Sequence, residues 1–451
     1  MKKKISGVYY VLIIVALTLN FGCSTSNNEK LSEQDVAIEW ANMSLFITQY
    51  TPSNSPTFAS RGFAYIGLTM YESIVNGYTS HQSLAGQLDG LTTLPKPEET
   101  ADYDWGLSLN AAQADILRNI YVQTSDENKL KIDSLESAIY EQFSKTLSNE
   151  TAQQSVAYGK AVASAIFEWS KTDGGHRGYL NNFDKEMVHT TRPGSWKPPL
   201  FAQSFSHHPL HPHWGKNRTF SKKNRSLPLP TFIPYDTLPE SPYYKEFLQV
   251  YEKDLTLTQL EKEAAIWWGD DPDVTFTPPG HSFYIATLAI EQKRPPLIEC
   301  AEVYAKTSIA VADAFIKCWE WKYHFFSERA NTFIPKYIDE EWESFWPDPP
   351  FPAFPSGHAI QAAAAAAVLE DSFGKQFRFI DKAHEGRKRD DVRDTDFVSR
   401  EFNSFWEAAQ ETADSRFYGG IHTPQDNNVG LEEGVKIAKN IIELNWTQTD
   451  Q

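Results

Sequence analysis

The sequence predicts an all-α protein: two fused helical bundles with a long proline-rich connection that wraps around them. Apolar residues return every three or four positions through most of the chain, which lines one face of a helix. No run alternates cleanly enough to demand a large sheet. The chain has 451 residues, 41% of them apolar and 14% aromatic, which suffices for one large core or two.

The elements follow in order. Residues 1–23 read MKKKISGVYYVLIIVALTLNFGC, with three lysines, an apolar run too short for an ordinary membrane span, and a small residue before Cys23. That is the layout of an export signal with a lipoprotein-like cleavage site. The expectation is a periplasmic, outer-membrane or cell-surface protein anchored by lipid on Cys23, with plain secretion as the alternative. Residues 24–33 would be the tether. From 34 to 172 a first helical bundle is expected, built from VAIEWANMSLFITQY, RGFAYIGLTMYESIVNGY, LNAAQADILRNIYVQ, KLKIDSLESAIYEQFSKTL and QQSVAYGKAVASAIFEWSKTDG. Between 173 and 240 prolines, aromatics and histidines crowd together; this is the wrapped connection, too aromatic for a free linker. Helical texture resumes from 241 to 451, interrupted by HEGRKRDDVRDTDF, which reads as an exposed connection.

Charge and cysteine content narrow the function classes. There are 42 basic and 59 acidic residues, a net of −17, which argues against a long nucleic-acid-binding face and leaves room for a local basic pocket. An anion would have to be captured by a focused cluster of Lys and Arg. Beyond Cys23 only Cys300 and Cys318 remain, and both read as buried thiols in helices. His207, His208, His211 and His213 lie in proline-broken chain without accompanying carboxylates. They read as packed or surface loop histidines.

Three pieces of the second bundle carry chemistry. In WEWKYHFFSERANTF, Lys322 and Arg329 are seven apart and would share a face if one helix persisted; charges in so apolar a segment need a partner. In PSGHA, Ser356 precedes an alanine-rich helix and can cap it. The free N–H groups of that first turn favour an anion, and Gly357 would let it approach the backbone, with His358 at the same end. In SRFYGGIHTPQDNNVG, Arg416 and His422 are separated by two glycines, and Asp426 could orient His422. Pro424 weakens a simple helical link between those two, so tertiary help is expected. Two guanidiniums, an ammonium, a hydroxyl, a backbone N–H and two histidines suit a tetrahedral oxyanion such as phosphate or vanadate.

This three-part pattern resembles the superfamily that joins type 2 phosphatidic acid phosphatases with vanadium-dependent haloperoxidases. The resemblance covers about 320–430 directly. It implies that Lys322, Arg329, Ser356, Gly357 and Arg416 hold the equatorial oxygens of vanadate. It also implies that His422 is the vanadium ligand, Asp426 its support and His358 the acid–base group, and that Lys322 has a catalytic part as well, polarising the peroxide. Ala330 stands where the phosphatase pattern usually has proline, which favours the haloperoxidase branch. Trp319 and Phe351 match aromatic positions of the halide pocket, and GDDPDVTFTPPGHSF, containing His281, is similar to a segment of the non-membrane members. The implied enzyme is a bacterial-type haloperoxidase using vanadate, with neither haem nor flavin. Hydrogen peroxide and a halide would be its substrates and hypohalous acid its product. Iodide is the first expectation and bromide the second. A histidine-dependent acid phosphatase is the alternative. A diffusible organic acceptor and a monomer or small homo-oligomer fit the reading. Final halide preference, acceptor, oligomeric state, membrane face and the part played by His281 stay open.

Overall fold

The computed structural model describes residues 31–187, 191–198, 208–272 and 274–448. The export signal, Cys23, most of the tether and His207 lie outside them. The first bundle comprises α1 (Glu33–Gln49), α2 (Pro56–Glu72), α3 (Trp105–Ile120), α4 (Asp126–Phe143) and α5 (Asn149–Ser170). A short helix α6 (Lys222–Arg225) follows, then α7 (Pro242–Asp254), α8 (Gln259–Trp267), α9 (Thr277–Lys293) and α10 (Leu297–Phe325). After α11 (Ala330–Tyr337) and α12 (Gly357–Phe373) come strands β1 (Phe379–Asp381) and β2 (Arg400–Phe402), and the chain ends on α13 (Phe405–Tyr418) and α14 (Pro424–Ile442). The helices start where the side chains allow: Ser55, Asp104, Ser125 and Ser148 each accept the backbone N–H three residues on. Each such cap stabilises its helix by about 1 kcal/mol.

The architecture is two helical bundles, as the sequence predicts, but they share one core. A continuous apolar cluster runs from Val36 to Trp446. Its axis is α10, whose 29 residues reach about 44 Å and are buried over most of their length. Helix α2 of the first bundle lies directly on it at Gly67, where an added Cβ would meet the Tyr304 carbonyl at 2.8 Å. Helix α14 packs as closely on the alanine-rich α12. A Cβ at Gly430 would meet the Ser356 carbonyl at 2.9 Å, and one at Gly434 the Ala363 Cβ at 2.9 Å.

The proline-rich connection wraps this body. Its Phe220 and Ser221 N–H groups donate at 2.7 and 3.1 Å to Asp313, a buried carboxylate on α10. Trp196 N–H bonds the Phe326 carbonyl at 2.9 Å, and Leu210 N–H the Pro350 carbonyl at 2.9 Å. Among its histidines, His211 is buried, stacked on Trp214 and bonded to Thr57 and to the Gly178 carbonyl; burial pushes it down to about 4. His213 is exposed, 3.5 Å from Asp184. Cys300 and Cys318 are buried free thiols.

The segment read as an exposed connection needs correction. Strands β1 and β2 pair antiparallel on either side of it, Ile380 facing Glu401, and His384 turns inward and is buried. The charged residues between stay mostly outside, so only the flanks, His384 and the buried Thr395, which pairs with Asp390, depart from the expectation. Among the described residues, no helix is long and apolar enough to cross a membrane.

Candidate active site

Lys322 and Arg329 converge, but not along one helix. Helix α10 ends at Phe325, because Phe326 adopts a left-handed φ of 53°. Arg329 then caps the N-terminus of α11 with extended backbone. The same-face expectation is therefore wrong in its route. A turn, not a seven-residue helical repeat, brings the guanidinium beside the ammonium. Both are buried. Lys322 Nζ donates to the Pro352 and Ala353 carbonyls at 3.0 and 2.6 Å. Arg329 donates to the carbonyls of Phe351 at 3.0 Å and Ile421 at 2.8 Å. These bonds leave one N–H of the lysine and at least two of the arginine for a ligand.

Ser356 caps α12, its hydroxyl accepting from Ala359 N–H at 3.4 Å. Its own N–H donates to the Asp426 carbonyl at 2.9 Å, which joins the starts of α12 and α14. Gly357 opens α12, and a Cβ there would meet nothing closer than Trp319 at 3.6 Å. Packing thus does not require glycine at this point. The space over its N–H is open to the cavity.

Helix α14 begins on Thr423, with Pro424 in its first turn and a reciprocal cap between Thr423 and Asp426. His422 immediately precedes it, and its Nδ1 lies 2.9 Å from Asp426 Oδ2. The expected need for tertiary help is also corrected: proline suits the first helical position, so the local cap alone sets this pair. With Nδ1–H engaged, Nε2 carries the lone pair. Burial, then Arg329 and Lys322, hold His422 well below its ordinary value; burial raises Asp426 to about 6.

His358 donates to the backbone of Trp268, and its Nε2 is buried with no partner. Burial and the charges of Arg416 and Lys322 push it down to about 3, so it is neutral at neutral pH. Arg416 donates through Nε to Ser415 Oγ at 3.0 Å and through Nη2 to the Ala265 carbonyl, while Nη1 is buried and unpartnered.

Gly357, His358, Arg416 and His422 open onto one cavity of about 280 Å³. Trp319 and Phe351 form its apolar wall, their ring centres 4.9 Å apart. Lys322 and Arg329 lie behind Phe351, at 5.2 and 5.3 Å from its ring. Burial lowers Lys322 to about 7 and Arg416 to about 10. Three buried cations in contact with so few carboxylates are costly, and an anion in the cavity offsets that cost.

Every residue singled out in the three motifs is thus brought to this region. Several cavity-lining residues were missed, among them Ser53 and Asn54 of the first bundle, Phe183 of the connection, and Asp270. Asp270 lies in the quoted segment but had no role, and only its placement after α8 exposes it to the cavity. His281 does not line the cavity; it sits behind Asp270. By residue type Asp270, His281 and His384 could form a metal-binding group. That group is separate from the cluster around His422.

The second-helical-bundle domain model of vanadium chloroperoxidase (VCPO) matches residues 302–450. Curated proteins give no match. The first bacterial vanadium-dependent iodoperoxidase of known structure is 29% identical, with a TM-score of 0.76 over 94% of this chain and 99% of that one. Two structures of bacterial vanadium-dependent chloroperoxidase, both 14% identical, share the fold. The apo form has a TM-score of 0.65 over 87% of this chain and 93% of that one; the holo form has 0.62 over 92% of each. The likeness to bacterial vanadium haloperoxidases thus runs over nearly the whole chain and includes the fold of both helical bundles.

Proposed function

We propose that the protein is a vanadium-dependent haloperoxidase that oxidises iodide first, and bromide second, with hydrogen peroxide. The observation that carries this reading is the pair of buried unpartnered atoms, Arg416 Nη1 and His358 Nε2, beside a cavity walled by Trp319 and Phe351. The donor set fits vanadate. His422 Nε2 offers a neutral nitrogen ligand; Lys322, Arg329, Arg416, Ser356 and Gly357 N–H offer donors to its oxygens. When bound, vanadate would supply a pentavalent Lewis acid that activates peroxide toward two-electron attack by halide, with no haem or flavin.

The chain's residues do the rest. Asp426 holds the His422 tautomer. The cations neutralise charge on the oxygens without water, since all are buried. His358, neutral and with a free lone pair, accepts a proton from incoming peroxide. Trp319 and Phe351 give a polarisable wall for a large, weakly hydrated halide, which supports iodide. Export with a lipid anchor on Cys23, a freely diffusing oxidised halogen passed to an organic acceptor, and a monomeric or small oligomeric state complete the proposal.

The test strips the purified chain of anions, restores orthovanadate and supplies peroxide with iodide, bromide or chloride. Vanadate-dependent triiodide is the expected product. Release of phosphate from a phosphomonoester with no halide oxidation would replace the reading by that of an acid phosphatase.

Charge linkage gives a second expected result. An anion in the cavity requires Lys322 protonated. Just below about pH 7 the ammonium is already charged, and affinity rises further only as Asp426, which titrates at about 6, loses its own charge. Above about pH 7 binding must take up a proton, so affinity falls by up to about tenfold per pH unit. Calorimetric titration with sulfate, whose charge is constant over this range, reads the effect; a flat profile to pH 9 would refute it.

A further inference from the structure

A buried network behind Asp270 has no part in the chemistry above. Asp270 Oδ2 lies 2.7 Å from His281 Nδ1, and His281 Nε2 lies 2.7 Å from Asp381 Oδ2. The Trp267 indole also donates to Asp381 Oδ2, at 2.9 Å, and Trp268 stacks on His281 with ring centres 4.5 Å apart. The three ionisable side chains are no more than 2% exposed. A ring with a carboxylate at each nitrogen donates from both, which only the imidazolium can do. Burial opposes that charge, but Asp381 and Asp270 outweigh it and lift His281 to about 10. A metal at Asp270, His281 and His384 would need a lone pair on His281, and neither nitrogen has one while both donate. The distances suit a proton.

This network grips one short piece of chain. Trp267 and Asp270 both bond to it, and between them Trp268 backbone accepts from His358. Just upstream, the Ala265 carbonyl accepts from Arg416. Asp270 itself is held at a left-handed φ of 47°, a strained conformation for a residue with a side chain.

We propose that His281 is a positioning residue: by bridging Asp270 to Asp381 it pins the 265–270 segment, whose backbone aims His358 and Arg416 into the cavity. This rests on the cavity being the oxyanion site of a haloperoxidase. Asp381 lies at the end of β1, so the small hairpin serves as the far anchor of the clamp.

The experiment uses the full chain with His281→Gln, Asp381→Asn and both together. Circular dichroism first confirms that each is folded; should His281→Gln fail to fold, Asp381→Asn carries the test. Two readouts follow: histidine ring NMR spectra without vanadate, and vanadate Kd with kcat and iodide KM. In the parent chain His281 should show both ring nitrogens protonated at pH 8. Each variant should shift the His358 resonances, weaken vanadate about ten- to a hundredfold and lower kcat. Iodide KM should hold, because α10 and the 349–353 turn carry the halide wall. The double variant should be no worse than the worse single one, since both remove one bridge. Unmoved His358 resonances with parental vanadate affinity, additive losses, or a stoichiometric metal ion lost on His384→Ala would each overturn the proposal. If the parent chain oxidises no halide, the functional reading fails, while the His358 spectra still decide the positioning.

Discussion

Replacing His422 with alanine is expected to leave a folded protein that retains no vanadate and oxidises no halide above the vanadate-free baseline. His422 lies between Ile421 and the Thr423 cap, so it belongs to no helix whose hydrogen bonds it could break. Its loss leaves Asp426 with the Thr423 N–H at 3.2 Å, and the start of α14 survives. What disappears is the neutral nitrogen proposed as the ligand. Residues that merely support a metal ligand cost ten- to a hundredfold in affinity, so losing the ligand should cost more than about a hundredfold. Equilibrium dialysis against vanadate, run beside triiodide formation, checks it. Vanadate retained with parental affinity would show that the ligand has been misassigned.

Replacing His358 with alanine should have the opposite signature. Vanadate affinity should stay within about tenfold of the parent, because Lys322, Arg329, Arg416, Ser356 and His422 remain. The rate should fall by about 10²–10⁴, the usual contribution of a positioned acid–base group. His358 suits that role because burial keeps it neutral, its ring donates to Trp268 backbone, and its other nitrogen has no partner. Stopped-flow rates at saturating peroxide and iodide give the measurement. A variant that loses vanadate and rate together would make His358 a binding residue instead.

Some of this site is local and could be read from residue order. Ser356 caps because a serine before a helical run can reach the third N–H. Gly357 follows that serine directly and so falls in the first turn of the same helix. The His422–Asp426 pair is set by one turn of helix, and Pro424, read at first as an obstacle, is what starts that turn. The helices of both bundles are legible for a similar reason, since an amphipathic period records which face is buried.

Other features depend on contacts between distant residues. The route from Lys322 to Arg329 depends on Phe326 breaking α10, and nothing in the local pattern marks a phenylalanine for a left-handed conformation. The merging of two bundles into one core follows from Gly67 meeting Tyr304, a contact between residues more than two hundred positions apart. Asp270 and His281 stood in a quoted segment, but their partner Asp381 lies a hundred positions beyond His281. A histidine between two carboxylates acquires its charge state only when all three are buried together. Order along the chain therefore specified the chemical groups, their caps and their helices. The folded chain decided which groups meet, which lose water and which keep an unpaired atom facing the cavity, because desolvation and charge coupling depend on distance in space.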